Sequence, residues 1–234
     1  MRRLFVVLAC SLLAACGTGG HASGTSSGAS AAPGGSAPTA SATPPVNPLP
    51  IAFPSSAKVL DVSQWSQNFK SVPPSLTGVI EAPGRYAGRQ VIASSPESFA
   101  TTDAWLQGLA GHLPPGYHAL SSRHFSMHMR DLGIDSAAFS GGNSTGIVAV
   151  AIDVKRFRSK VGLVLGLLKD YSAIPGFMRA PLDKKIEAQT GISPAEFLEP
   201  TTPVGSAVAA LRMVAHDTTG RTAIVLIDAK KAPK

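Results

Sequence analysis

In Ile147-Val148-Ala149-Val150-Ala151-Ile152-Asp153-Val154 only Asp153, near the end, interrupts an apolar run, and five of the eight residues are β-branched. A run of this length and composition predicts a central strand with both faces covered, because a strand with one wet face alternates apolar and polar residues. Just before it, Gly141-Gly142-Asn143-Ser144 is turn chemistry. Further upstream, His118 to Met129 alternates: Phe125, Met127 and Met129 point one way, His124, Ser126 and His128 the other. That period predicts a second strand, paired with Ile147–Val154 as a long hairpin.

Working outward, Val79–Ile80 and Gln90–Ala93 read as another strand pair across Pro83-Gly84-Arg85-Tyr86-Ala87-Gly88, with Thr222–Ile227 the last strand and Lys58–Val62 a candidate first. Helices follow the other period. Ser95-Pro96-Glu97 combines an N-cap, a first-turn proline and an acid at the positive helix end. Phe99, Thr102, Leu106, Leu109 and Leu113 then form one stripe, ended by Pro114-Pro115-Gly116. Ser193-Pro194 opens a short helix and Thr202-Pro203 a longer one, with Val204, Ala207, Val208, Leu211, Val214 and Ala215 inward and Gly220 beyond its end. A further helix is predicted over Ser159–Tyr171, around Val161, Val164, Leu165 and Leu168. Its apolar stretch is far shorter than the ~20 residues that span a bilayer. Strands and helices alternate irregularly, with hairpins between. This predicts one α+β domain with a mostly antiparallel or mixed sheet and helices packed on one face, without the βαβ rhythm of a nucleotide-binding fold.

Val150-Ala151-Ile152-Asp153-Val154-Lys155 has an echo in Val225-Leu226-Ile227-Asp228-Ala229-Lys230. Common strand chemistry accounts for it better than duplication. If the strands are neighbours, Asp153 and Asp228 can converge as paired acids do in glycosidases; the plainer expectation is two strand ends at solvent. Basic residues come after both segments. Lys155, Arg156, Arg158 and Lys160 surround Phe157, and Lys230 and Lys231 lie near the end of the chain. These six are the candidate contacts for an anionic partner, on the expectation that both clusters share one end of the sheet.

Other chemistry finds less support. His118, His124 and His128 share a face of the predicted strand, but 124 and 128 are then roughly 13 Å apart, too far for one zinc ion. Only a helix makes them an i,i+4 pair, with Asp131 or Asp135 as a third ligand. Ser140-Gly141-Gly142-Asn143-Ser144 lacks the G-x-S-x-G of a nucleophile elbow, and no glycine stretch matches a phosphate-binding loop. No catalytic residue, metal or cofactor is expected.

The beginning of the chain concerns location. Arg2 and Arg3 precede the apolar stretch Leu4–Leu13, and small residues lead to Cys16, the three parts of an export signal. Leu13-Ala14-Ala15-Cys16 resembles the lipobox of bacterial lipoproteins. The resemblance implies cleavage before Cys16, a diacylglyceryl group on its thiol, and two or three acyl chains holding the protein at the cell membrane or outer membrane on its extracytoplasmic side. Cys10 falls in the discarded part, so the folded part then has no thiol, hence no disulfide and no cysteine nucleophile.

Residues 1–15 are thus expected as a signal, 16–47 as the lipidated cysteine and a Gly/Ser/Ala/Pro tether, and 48–234 as the globular domain. The tether carries no acidic or basic residue except His21, cannot bury enough apolar area to order itself, and has a reach of ~30 Å. Without Arg2 and Arg3 the net charge of +7 falls to +5. A basic exported domain meets anionic lipid, wall polymer or an acidic protein; nucleic acid is not expected. The functional expectation is a non-enzymatic binding or accessory module of the cell envelope. The alternatives are an envelope-acting hydrolase, or a structural lipoprotein whose basic patch contacts anionic lipid or wall polymer.

Overall fold

A computed structural model describes residues 45–120, 126–142, 145–215 and 220–233. The chain divides into two units, Met1–Ser41 and Ala42–Lys234. The first, with Cys16 and the expected signal, lies outside the described residues. Within the second, the order is β1 (Lys58–Phe69), β2 (Gly84–Ser95), α1 (Phe99–Gly108), β3 (His118–Leu120), α2 (Ser126–Leu132), β4 (Ile134–Gly142), β5 (Thr145–Asp153), α3 (Val154–Leu168), α4 (Gly176–Thr190), α5 (Pro194–Leu198), α6 (Pro203–Val214) and β6 (Thr222–Lys231).

The strands make one sheet in the order β1-β2-β6-β5-β4-β3, and every neighbouring pair is antiparallel. The fold is α+β, as the sequence predicts. β5 is central and its run is apolar because both faces are covered. Val148, Val150 and Ile152 join the larger core, while Ile147, Ala149 and Ala151 join the smaller. The larger core holds Phe157, Val161 and Val164 of α3 and Val204, Ala207 and Leu211 of α6, together with residues of α2, α4 and α5. These helices meet the expectation of one helical face. α1 stands on the other, with Leu106 beside Ile51 and Leu109 and Trp105 in ring contact with Phe53.

Several elements differ from expectation. The strand predicted over His118–Met129 holds only for His118–Leu120; residues 121–125 lie outside the described part, and Ser126–Leu132 is helical. Met129 and Leu132, three residues apart, are both buried, which is the helical period. The hairpin partner of β5 is β4, in register from Ile134↔Ile152 to Ser140↔Gly146, with a one-residue shift before the last pair Gly142↔Thr145. Its Asp-Ser-Ala-Ala composition hides a strand from propensity, and pairing on both edges overrides that weakness. Val79 and Ile80 are not a strand: they are buried after the short 3-10 turn Pro74–Leu76, and β2 pairs with a β1 extending to Phe69.

α1 begins three residues later than its sequence cue. Ser95 ends β2, and Ser98 is the cap, its side chain accepting from the Thr101 N–H. α3 begins five residues earlier than predicted, at Val154. α4 had no sequence signal, since Pro181 interrupts it and Ile186 and Thr190 are its buried residues. α5 and α6 begin at Pro194 and Pro203, capped by Ser193 and Thr202 as expected. No helix among the described residues is long and apolar enough to cross a membrane.

Candidate functional site

The antiparallel pairing of β5 and β6 decides where the two basic clusters go. Asp153 pairs with Thr222, and Thr145 with Lys230. Eight strand residues therefore separate the clusters, roughly 27 Å. Lys155, Arg156, Arg158 and Lys160 are at one end of the sheet, Lys230 and Lys231 at the other, so the expectation of one shared end is corrected. The same register keeps Asp153 and Asp228 apart: Asp228 pairs with Ile147, six residues along β5 from Asp153.

Asp153 builds the first cluster. Its carboxylate caps α3, Oδ1 accepting from the Arg156 N–H at 2.9 Å, and the Arg221 carbonyl accepts from the Val154 N–H at 3.3 Å. The basic run thus forms the first turns of a helix, where its apolar members turn inward: Val154, Phe157 and Val161 are buried, and Lys155, Arg156, Arg158 and Lys160 are exposed. Arg156 turns toward α2, donating from Nε to the Asp131 carbonyl at 3.2 Å.

Lys155 and Arg158 line a cleft of 610 Å³ with Arg221, Ser98, Ser159 and the apolar Phe99 and Val154. Lys160 lies outside it. Arg221 carries no sequence signal of its own; only the Asp153↔Thr222 pairing places it across from Lys155. The cleft also contains Asp153, whose Oδ1 is engaged in the cap. Lys155, Arg158 and Arg221 form no ion pair with any described residue. The ion pair present among these residues, Arg130–Asp135 at 2.7 Å, lies elsewhere. Against the single carboxylate of Asp153, these three cations leave the concave, partly apolar wall net positive at a helix N-terminus.

Arg158 borders a second space. A groove of 1020 Å³ runs between α3 and α6 and ends on α5. Leu165, Leu168, Phe197, Val208 and Leu211 line it, Arg158, Lys169 and Arg212 edge it, and no carboxylate is among its lining residues.

Three acidic groups are perturbed away from this site. Glu196 is buried and bordered by a separate 420 Å³ cleft. Burial pushes its carboxyl above the ordinary range, partly offset by the Ser75 hydroxyl, which donates to Oε2 at 2.6 Å, and Glu199 adds repulsion. Neighbouring Glu199 is spent on structure: Gln67 Nε2 donates to one oxygen at 2.7 Å and the Thr201 hydroxyl to the other at 2.6 Å. Asp103 of α1 is also raised, by burial first and then by its hydrogen bond to Asp135. Asp135 meanwhile accepts from Arg130 and from Gln107. Asp228 is raised by burial against the opposing pull of the Arg89 N–H, which donates to Oδ1.

Of the remaining sequence candidates, His118 and Ser140 are register partners across β3 and β4. They sit in regular strand, not on the strand-to-helix turn an activated serine requires. His128 is on α2, contrary to its predicted strand, and His124 lies outside the described residues. No cluster of three or more His, Cys, Asp or Glu among the described residues is placed to hold a metal ion. Comparison with protein-family models, with curated proteins and with solved structures finds no match.

Proposed function

We propose that this chain is a non-enzymatic binding module, held on the extracytoplasmic side of a membrane by acyl chains on Cys16, and that it grips an anionic group of an envelope protein or polymer. The observation that carries the reading is the convergence of Lys155, Arg158 and Arg221 on one cleft without an ion-pair partner among the described residues. Cations without an ion-pair partner, held by two separate segments (the first two turns of α3 and the residue before β6), cost self-repulsion in the free protein, and a bound anion relieves it. Lipidation adds residence near the partner, since the tether keeps the domain within ~30 Å of the membrane.

Calorimetric titration with polyphosphate tests this, using the full chain carrying Cys16→Ala. The combined Lys155→Ala, Arg158→Ala and Arg221→Ala variant is expected to lose tenfold or more in affinity, about 1.4 kcal/mol. A Lys230→Ala, Lys231→Ala variant is expected to stay within twofold. Equal losses in the two variants mean that net charge alone attracts the probe, and the cleft is then not the site.

A further inference from the structure

The cationic cleft and the α3–α6 groove share Arg158 as a lining residue, so the two spaces lie side by side on α3. Resting on the anion-binding reading above, we infer that they form one bipartite site for a single anionic amphiphile, its acyl chain in the groove and its charged head among Arg158, Lys155 and Arg221. Each half is poorly suited to a simpler ligand. A free anion makes no use of Leu165, Leu168, Phe197, Val208 and Leu211. A neutral hydrocarbon makes no use of Arg158, Lys169 and Arg212, and the absence of any carboxylate from the lining leaves their charge unopposed there.

Shape agrees with chemistry. At 1020 Å³ the groove is at the upper end of the ~300–1,000 Å³ usual for small-molecule sites, so a head group alone leaves most of it empty. From Arg158 to Lys169 it runs along α3 for about 16 Å, an elongated form suited to a chain. Leu198 lines it and is 49% exposed, and Leu165 is only half-buried. A bound chain covers this apolar surface. The groove is concave and flanked by helices, which fits one molecule taken up whole better than a flat bilayer surface.

The test is titration of the full Cys16→Ala chain with dodecyl phosphate below its micelle concentration, beside inorganic phosphate and the neutral dodecyl maltoside. Dodecyl phosphate is expected to bind one per chain, at least tenfold more tightly than either comparison ligand. Leu198→Asp places a like charge at an exposed lining position, and Ala209→Trp fills the groove. Each is expected to weaken dodecyl phosphate tenfold or more and to leave polyphosphate binding within twofold; thermal melts identify the variant that keeps the fold. Dodecyl phosphate binding no better than phosphate, several molecules per chain, or indifference to both groove variants overturns the amphiphile site. If polyphosphate still depends on Lys155, Arg158 and Arg221, the cationic cleft survives that result. If the triple variant changes neither probe, both readings fall.

Discussion

The segments ending in Asp153-Val154-Lys155 and Asp228-Ala229-Lys230 are near copies in sequence, and they serve opposite purposes. Asp153 is the last residue of β5 and caps α3. Asp228 stays inside β6, its Oδ1 accepting from the Arg89 N–H and its carbonyl from Trp65 Nε1 at 3.1 Å. The residues C-terminal to each aspartate make the difference. After Asp153, Val154, Phe157 and Val161 supply helical spacing and an apolar stripe. After Asp228 come Ala229, Lys230 and Lys231, still paired in the sheet. Because the strands run antiparallel, one echo delivers its lysine to the cleft and the other to the far edge. Likeness along the chain is therefore no guide to proximity in an antiparallel sheet.

That contrast can be broken most severely at Gly88, where β2 passes Asp228. A Cβ there would overlap the Asp228 carbonyl oxygen, a backbone atom that no side-chain movement relieves. Gly88→Val is expected to cost at least about 3 kcal/mol, seen as a fall of roughly 6–12 °C in Tm for a domain of this size or as failure to fold. A wild-type melt would show that the two strands do not approach so closely.

The cap is next. Asp153→Ala removes the acceptor for the Arg156 N–H and is expected to cost about 1 kcal/mol, measured by denaturant unfolding. No such loss is expected for Asp228→Asn, because an amide oxygen accepts from the Arg89 N–H as a carboxylate does.

Asp228→Asn separates the two aspartates by pH, with the smallest effect. Burial raises the Asp228 carboxyl above its ordinary 3.8, so the folded chain holds that proton more tightly than the unfolded one. Its stabilising contribution is complete below the unfolded value and is lost as pH rises through the folded value. At pH 7 Asp228→Asn should melt slightly above wild type, and near about pH 3 the two should coincide. A variant less stable than wild type at pH 7 would mean that the ionised carboxylate stabilises β6.

The parts legible from sequence were those governed by local chemistry. Thr202-Pro203 and Ser193-Pro194 announce helix starts because the cap and the first-turn proline act within one turn. Ile147–Ile152 announces a central strand because burial on both faces removes every polar residue from the run. Elsewhere local cues were ambiguous. Ser95 resembles a cap as well as Ser98 does, and the alternation of Phe125, Met127 and Met129 did not foretell α2. β4 and α4, with Asp-Ser-Ala-Ala and an internal proline, carry little pattern of their own.

For the candidate site, sequence alone identified Lys155 and Arg158 as part of a basic run, and a resemblance to a lipobox at Cys16 as the basis for the proposed location. It did not place Lys230 and Lys231 away from that run, bring Arg221 to it, or open the groove edged by Lys169 and Arg212. Those depend on which strands pair and which helices lie side by side. Side-chain type and spacing act over a few residues and so are written in the chain; register and helix packing join residues tens of positions apart, and only the folded structure brings them together.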